Sequence, residues 1–329
     1  MPERSANDSS DPIPGLRPLP LLAPASALVA ITSILTTQSA TAEPNIGQFE
    51  LKTLECAPGL LEFQSQNAFS WGQPSRQFED RGQALVFDEN SIARQRHALE
   101  LEFGFSHSLK LRVGVEFEKE RVEEPTTIAQ ANDFEDLELT EYGAELIAVI
   151  VPRRGDGAGL GFVAEFEGPV DSDESSALVL GPIAEFQSGR WFAAAVPMVV
   201  HNFGGHPDDG EEVDDKWDFA YAAQLMYTFA PDWSLALEGY GSVERIGSTG
   251  RPSGSAEIFG DFKQHRFGPV LYYTYEFGSD GTERNGSPLA SWEDDESNGT
   301  SLNIGLGLLA GLNGNTPDAT LKLSIEVDF

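Results

Sequence analysis

The last nine residues of the chain alternate strictly between apolar and polar side chains. Leu321, Leu323, Ile325, Val327 and Phe329 are apolar, and the residues between them are Lys, Ser, Glu and Asp. Because successive side chains of a β-strand point to opposite faces, this segment predicts a strand with one apolar and one polar face. An apolar face that no second layer covers must meet lipid. In lipid every backbone N–H needs a partner, so such a sheet must close on itself.

The same alternation recurs along the chain and predicts about twelve strands. They span residues 59–71, 96–106, 109–119, 137–151, 159–167, 177–187, 191–203, 216–229, 233–245, 264–277, 300–310 and 320–329. Short connections alternate with long ones, except that 278–299 is long where a short turn is expected. Such alternation is typical of outer-membrane barrels. We therefore predict an all-β fold, a single antiparallel transmembrane β-barrel over residues 59–329; a soluble β-sandwich is the alternative.

An apolar segment precedes the predicted barrel. Leu21–Leu35 carries no charge and is followed by Ala40-Thr41-Ala42, the small residues of a signal-peptidase site. This predicts a signal peptide over residues 1–42, cleaved between Ala42 and Glu43, and an N-terminal periplasmic segment over 43–58. Cys56, the single cysteine, is interpreted as an unpaired thiol. The expected location is the bacterial outer membrane, after export.

Aromatic residues stand near the predicted strand ends. Trp71 and Trp217 fall at outer ends, and Trp191 and Trp233 at inner ends. An indole ring prefers the headgroup level of a bilayer, so these residues and the terminal Phe329 predict an aromatic girdle in contact with outer-membrane lipid. A last strand that ends in Phe329 also predicts recognition by the barrel-assembly machinery.

If the apolar positions face lipid, the alternate positions line a lumen. The lumen-lining residues predicted in this way are Glu62, Glu100, Glu102, Lys110, Arg112, Glu116, Glu118, Glu141, Glu145, Glu165, Glu185, Glu238, Arg266, Glu276, Lys322 and Glu326. A wall so rich in carboxylates repels anions and favours cations or neutral polar solutes. Pairing of these glutamates with lysines and arginines on neighbouring strands is the alternative, and it would close the lumen.

Charge and motifs exclude several function classes. The formal net charge of −32 excludes an electrostatic affinity for nucleic acid. The acidic runs 208–215 and 293–296 are interpreted as solvated charge, and His201 and His206 have no fixed mutual geometry, so we expect no metal site. No phosphate loop, dinucleotide fingerprint or Gly-x-Ser-x-Gly occurs, so we expect neither a cofactor nor an enzyme. His107 adjoins Ser108, but neighbours on a strand face opposite ways.

Three segments resemble a known family. They are Asp133–Leu139 (DFEDLEL), Gly159–Pro169 (GLGFVAEFEGP) and Tyr227–Leu235 (YTFAPDWSL). In these segments, and diffusely from residue 59 to the end, the chain resembles the bacterial outer-membrane proteins of the meta-pathway of phenol degradation. The family's usual Lys after Leu-Glu-Leu is absent, and Glu141 and Tyr142 stand there. The resemblance implies a β-barrel fold, in a family whose members are described as transporter-like.

The sequence thus predicts a porin-like barrel for passive or selective passage of small solutes. The alternative is a non-conducting structural or surface-binding barrel, whose lumen ion pairs would close. An outer-membrane hydrolase is a distant third, which would need a serine and a histidine within hydrogen-bond distance on the outer wall.

Overall fold

Twelve long antiparallel strands close into one barrel. The computed structural model describes residues 49–80, 82, 85–87, 92–122, 125–171, 175–204, 216–249, 263–277 and 300–329. The long strands are β1 (Leu61–Trp71), β4 (Gln95–Ser106), β5 (Leu109–Lys119), β6 (Glu138–Val151), β7 (Gly157–Pro169), β8 (Ser176–Ser188), β9 (Trp191–Phe203), β10 (Lys216–Ala230), β11 (Trp233–Val243), β12 (Lys263–Glu276), β13 (Ser301–Gly311) and β14 (Ala319–Asp328). Each long strand pairs with the next long strand in the chain, so β1 pairs with β4 although two short strands lie between them in sequence.

Strand β1 closes the barrel because it pairs on both sides. Phe63 lies opposite Leu101 of β4 and opposite Val327 of β14. The two short strands, β2 (Phe78–Asp80) and β3 (Leu85–Phe87), form a separate hairpin between β1 and β4. Closure leaves no unpaired sheet edge among the twelve strands.

The prediction of a twelve-stranded barrel is confirmed. No predicted strand end differs from the observed one by more than two residues. The segment 137–151, whose Leu, Glu and Ala content also suits a helix, is strand β6. The predictions for the signal peptide, its cleavage between Ala42 and Glu43, the acidic runs 208–215 and 293–296, and the segment 278–299 lie outside the described residues. Among the described residues, no helix is long and apolar enough to cross a membrane.

The barrel is apolar outside, and its inner face carries the charged side chains beside an apolar sector that includes Val163, Val179 and Val196. Along β4, Leu99, Leu101 and Phe103 are exposed, whereas Glu100 and Glu102 between them are buried. This is the reverse of a soluble protein, in which charged side chains rarely become fully buried. The barrel therefore presents an apolar outer surface and holds its charges within.

The two ends of the barrel differ in their connections. We call the end with the connections 107–108, 189–190 and 231–232 the turn end, and the other the loop end. Trp191, Trp233 and Phe329 lie exposed at the turn end, and Trp71 and Trp217 lie exposed at the loop end. Aromatic side chains thus stand at both rims of the apolar outer surface.

Candidate functional site: the lumen and its N-terminal segment

Residues 49–60 enter the barrel before the chain turns into β1; we call them the luminal segment. Phe49, Glu50, Lys52, Leu54 and Cys56 are all buried. The prediction of a periplasmic segment over 43–58 is therefore wrong for the described residues 49–58, which lie inside the barrel. The physical reason is that the inner wall supplies partners for the charges and the backbone of this segment.

Wall residues from widely spaced strands contact the luminal segment. Glu50 pairs with Arg112 of β5, and the Lys52 ammonium pairs with Glu145 of β6 and lies 2.9 Å from Glu165 of β7. Two hydrogen bonds add to these ion pairs: the Leu54 backbone N–H donates to Glu185 at 2.7 Å, and the Cys56 thiol donates to the Ser106 carbonyl at 2.8 Å. At the start of the segment, the Phe49 ring packs edge-on against the Tyr240 ring, with 5.6 Å between the ring centroids. The segment is therefore held along its whole described length.

Inward glycines make room for the luminal segment. A Cβ added at Gly161 of β7 would collide with the Leu54 side chain, and one added at Gly159 would lie 2.9 Å from it. A Cβ at Gly104 of β4 would collide with the Ala57 carbonyl oxygen. The wall is thus shaped to receive this segment at two separate strands.

Titratable groups of the luminal segment respond to the wall. Burial alone would raise the pKa of Glu50, but Arg112 and Lys52 outweigh it and hold that pKa below its ordinary value. Burial alone would lower the pKa of Lys52, but Glu145, Glu165 and Glu50 raise it well above its ordinary value. Both groups are therefore charged at neutral pH, and they tie the segment to the wall as ions.

Glu55 of the luminal segment has a different environment. Burial raises its pKa well above the ordinary value, and the carboxylates of Asp328, Glu62 and Glu102 add to the rise, while Lys110 opposes it. Burial also raises the pKa of the Cys56 thiol, which keeps it protonated and unreactive. At the end of the luminal segment nearest the turn end of the barrel, burial thus favours the protonated forms of Glu55 and Cys56.

Carboxylates crowd the wall formed by β5, β6 and β7. Glu116 lies directly opposite Glu141, and Glu145 lies directly opposite Glu165. Like charges directly opposite each other in a sheet are destabilising. We call this region, together with Glu100 of the adjacent strand β4, the acidic wall; its members are Glu100, Glu116, Glu141, Glu145, Glu165 and Glu167, which line a cavity together with Arg112.

A second cavity lies on the opposite side of the luminal segment. Amide and hydroxyl groups are the most numerous in its lining: Gln64, Gln66, Gln224, Asn303, Thr53, Tyr272, Thr274 and Ser324. The charged residues Glu50, Glu55, Lys322 and Glu326 line it too. The luminal segment therefore separates the acidic cavity from one in which neutral polar groups predominate, which we call the neutral cavity.

Glu238 of β11 is the centre of a buried hydrogen-bond network beside the neutral cavity. Its carboxylate accepts from Lys322 at 2.8 Å, from the Tyr240 hydroxyl at 2.5 Å, from Gln224 at 2.7 Å and from the Tyr272 hydroxyl. A buried charge is tolerated only when it is paired and hydrogen-bonded, as Glu238 is. The charge of Glu238 is therefore balanced by Lys322, and its carboxylate oxygens are hydrogen-bonded.

Further ion pairs join neighbouring strands. Arg96 of β4 pairs with Glu116 at 2.5 Å and with Glu118 of β5. Across the same two strands, Glu102 accepts from Lys110 at 2.8 Å and from Arg112 at 2.8 Å. Cross-strand pairing, the alternative raised from the sequence, thus exists in this part of the wall.

Most sequence-predicted lumen residues lie on the inner face. Those that are buried are Glu62, Glu100, Glu102, Lys110, Arg112, Glu116, Glu118, Glu141, Glu145, Glu165, Glu185, Glu238 and Lys322, while Arg266 and Glu326 are half-buried. Glu276 differs: it occupies an inward position of β12, but at its turn end, where its side chain is exposed. A residue at the rim of the barrel is exposed to solvent whether its side chain points inward or outward.

Sequence reasoning missed several lumen residues. Arg96, Glu167 and Tyr240 share the alternation of predicted neighbours and could have been found by extending it. Glu50 and Lys52 belong to no alternating strand, so only the three-dimensional closure of the barrel reveals their place.

Three carboxylates near the turn end lie close together. Single oxygens of Glu62, Glu326 and Asp328 fall within 4.8 Å of one another. Glu62 accepts from Gln64, and Asp328 accepts from the Ser301 hydroxyl at 2.5 Å. Burial raises the pKa of Glu55, and the carboxylates of Asp328 and Glu62 in this group add to that rise.

Two histidines contact side chains other than serine. A ring nitrogen of His97 lies 2.8 Å from the Asn67 amide oxygen, and one of His265 lies 3.1 Å from the Tyr221 hydroxyl. Neither arrangement is the serine–histidine pair that a hydrolase of the outer wall requires.

Comparison with known proteins finds similarity at the level of solved structures. No family model matches the chain, and no curated protein matches it. The chain is similar to the COG4313 outer membrane channel from Pseudomonas putida F1 (14% identity, TM-score 0.47, 87% of this chain and 100% of that one). It is also similar to the NanC porin (9%, 0.44, 81% and 98%) and to the outer membrane protein Omp33 of Acinetobacter baumannii (9%, 0.33, 84% and 99%).

Proposed function

We propose that the chain forms an outer-membrane barrel through which small solutes pass, with cations and neutral polar solutes preferred over anions. The observation that carries the proposal is the polarity of the closed barrel, apolar outside and carboxylate-rich inside. Leu101 is 50% exposed while the adjacent Glu102 is 1% exposed. Only a lipid surround makes the outer face favourable, because exposed contiguous apolar surface is costly in water.

The inner face supports the preference for cations. Acidic side chains outnumber basic ones among the buried residues of the described strands. Rings of carboxylates favour cations in membrane pores and repel anions. We therefore propose passage of small solutes with this charge preference. Cavities beside the luminal segment mark the available space; they include the two described above and a third lined by Phe49, Arg96 and Arg266.

The luminal segment supports a gated pore. It divides the lumen and is held by ionic contacts, which can be exchanged for solvent or for solute ions. It is also held by apolar packing, of Leu54 and Cys56 in one buried cluster and of Phe49 in another. Its displacement would join the acidic cavity to the neutral one. We therefore include in the proposal that the conformation with residues 49–60 inside the barrel is the closed one.

A second function, a non-conducting structural or surface-binding barrel, is favoured by the same ion pairs. Arg96, Arg112 and Lys110 link β4 to β5, and the luminal segment fills space between the walls. If the segment never leaves, the barrel is a plugged scaffold. The membership of the chain in the phenol meta-pathway family is likewise a proposal, supported by the segments Asp133–Leu139, Gly159–Pro169 and Tyr227–Leu235.

Planar-bilayer recording of the refolded full chain tests these functions. Discrete conductance steps are expected, and reversal potentials under a KCl gradient should report K⁺ preferred over Cl⁻. The Lys52→Met variant, which weakens the hold on the luminal segment, is recorded beside the wild type. A barrel that inserts but stays silent in both forms would eliminate passage and leave the plugged scaffold. Proper location is tested separately by fractionation of inner and outer membranes.

A further inference from the structure

The acidic wall contains carboxylates that the described part of the chain leaves without a counter-charge. Glu167 is 4% exposed, and its Oε2 has no hydrogen-bond partner. Neither Glu167 nor its neighbour Glu141 forms an ion pair with a basic side chain of the described ranges. An unpaired buried carboxylate is strongly unfavourable, so this position either holds a proton or pairs with a positive ligand.

The strand register leaves space for such a ligand in front of Glu167. Gly114 of β5 lies opposite Gly143 of β6, which in turn lies opposite Glu167 of β7. A Cβ at Gly143 would come no closer than 3.6 Å to another atom, whereas one at Gly114 would lie 2.9 Å from the Glu100 side chain. The free space is therefore at Gly143, which lines the cavity of the acidic wall.

One edge of this cavity already holds an alkylammonium group. The Lys52 ammonium of the luminal segment pairs with Glu145 and lies 2.9 Å from Glu165. Glu165 and Glu167 are two residues apart on the same face of β7, so their backbones are separated by about 7 Å along the strand. The wall therefore offers two carboxylate positions along β7, of which Lys52 pairs with the one at Glu165.

The spacing of the wall argues for an extended organic cation over a metal ion. Among the described residues, the carboxylates whose oxygens lie close enough to share a metal ion are those of Glu62, Glu326 and Asp328. The acidic wall does not bring three oxygens together in this way. Its anionic positions follow one another along a strand, as the amino groups of an aliphatic diamine do along its chain.

We propose that the acidic wall binds aliphatic diamines, one amino group taking the place of the Lys52 ammonium at Glu145 and Glu165 and the other pairing with Glu167 and Glu141. The inference rests on the proposed passage of cations and adds its substrate class. It also adds a regulation: a diamine competes with Lys52, and its binding releases the luminal segment from the wall. No bond is made or broken, and the positive charge of the ligand replaces that of Lys52.

Calorimetric titration of the refolded full chain in detergent tests the site. The probes are 1,4-diaminobutane and butylamine at low ionic strength. The diamine should bind about 10- to 100-fold more tightly than the monoamine, the range for one additional hydrogen bond to a charged group. Glu167→Gln should remove most of this advantage, whereas Lys52→Met should tighten the binding of both probes. Glu276→Gln, the same exchange at the exposed rim of β12, serves as the matched control and should leave both affinities unchanged.

The outcomes separate this inference from the proposed function. Retention of the folded barrel in each variant is checked by its heat-dependent shift in gel electrophoresis. Equal affinities for diamine and monoamine in the wild type, or an undiminished advantage in Glu167→Gln, would overturn the site. Weaker binding in Lys52→Met would overturn the competition. Diamine binding by a barrel that never conducts would sustain the site and refute passage, while a conducting barrel that ignores diamines would do the opposite.

Discussion

Replacement of Lys52 by methionine should open the barrel. The methionine is close to lysine in length but removes the ammonium that neutralises Glu145 and Glu165. With the luminal segment inside, both carboxylates then face an apolar side chain. With the segment outside, water fills the widened lumen and solvates them. The substitution therefore destabilises the closed conformation and leaves the open one nearly unaffected.

The size of the effect follows from burial. The Lys52 side chain is 5% exposed, and those of Glu145 and Glu165 are 2% and 7% exposed. Removing one partner of a buried ion pair costs about 3–5 kcal/mol. Since about 1.4 kcal/mol corresponds to a factor of ten in an equilibrium constant, the ratio of open to closed conformations should rise by about two to four orders of magnitude.

Two assays measure this rise independently. Single-channel recording gives the open fraction, and maleimide labelling of Cys56, the single cysteine and buried when the segment is in place, gives the accessibility of the segment. Lys119→Met, at the loop end of β5, is the matched control. The reasoning is refuted if Lys52→Met leaves both the open fraction and the labelling rate of Cys56 at the levels of the wild type and of the control.

Three further substitutions report on different parts of the wall. Gly161→Leu should expel the luminal segment and speed maleimide labelling of Cys56 at least tenfold, because its side chain needs the space that Leu54 fills, whereas Gly143→Ala should leave the rate unchanged. Lys322→Met leaves the Glu238 carboxylate without its ammonium and should lower the free energy of unfolding by about 3–5 kcal/mol, measured by urea unfolding in lipid vesicles. The pKa of Glu55 is higher in the folded barrel than in the unfolded chain. The protonated Glu55 therefore contributes its full stabilisation below the ordinary glutamate pKa, and this stabilisation is lost as the pH rises through the raised pKa. The free energy of unfolding should thus fall with rising pH, and Glu55→Gln should flatten that dependence.

Each of these expectations has a contrary result. Slow labelling of Cys56 in Gly161→Leu would mean that the glycine gap does not receive Leu54. Unchanged unfolding of Lys322→Met would mean that the hydroxyl and amide donors alone satisfy Glu238. A wild-type stability that rises with pH between the ordinary and the raised pKa of Glu55 would contradict the environment assigned to that group.

The strands could be predicted from the sequence because lipid imposes a simple rule on them. Most outward positions, such as Leu99 or Leu308, are apolar because they face lipid, and Ser65 and Asn67 in the middle of β1 are polar exceptions. The rule also places Glu102 and Lys110 on the inner face. It says nothing of rim positions, which is why Glu276 follows the alternation yet is exposed.

The luminal segment could not be predicted, because its position depends on contacts that are distant in sequence. Lys52 meets partners about a hundred residues later in the chain, and they come together only once β5, β6 and β7 are paired. Pro58-Gly59 marks the turn into β1, but residues 49–57 carry no strand pattern long enough to separate them from a solvated leader. The need for a glycine at position 161 is evident only once the Leu54 side chain is seen to pack against it.

Oxygen accessibility along β4 tests the central claim most directly. Single cysteines at positions 99 to 103, in a Cys56→Ser background, would carry a nitroxide label in vesicles. Collision with lipid-soluble oxygen should be high at 99, 101 and 103 and low at 100 and 102, because Leu99, Leu101 and Phe103 face outward. Uniformly low oxygen collision, or strong collision with a water-soluble nickel complex at the outward positions, would contradict a barrel with its apolar face in lipid.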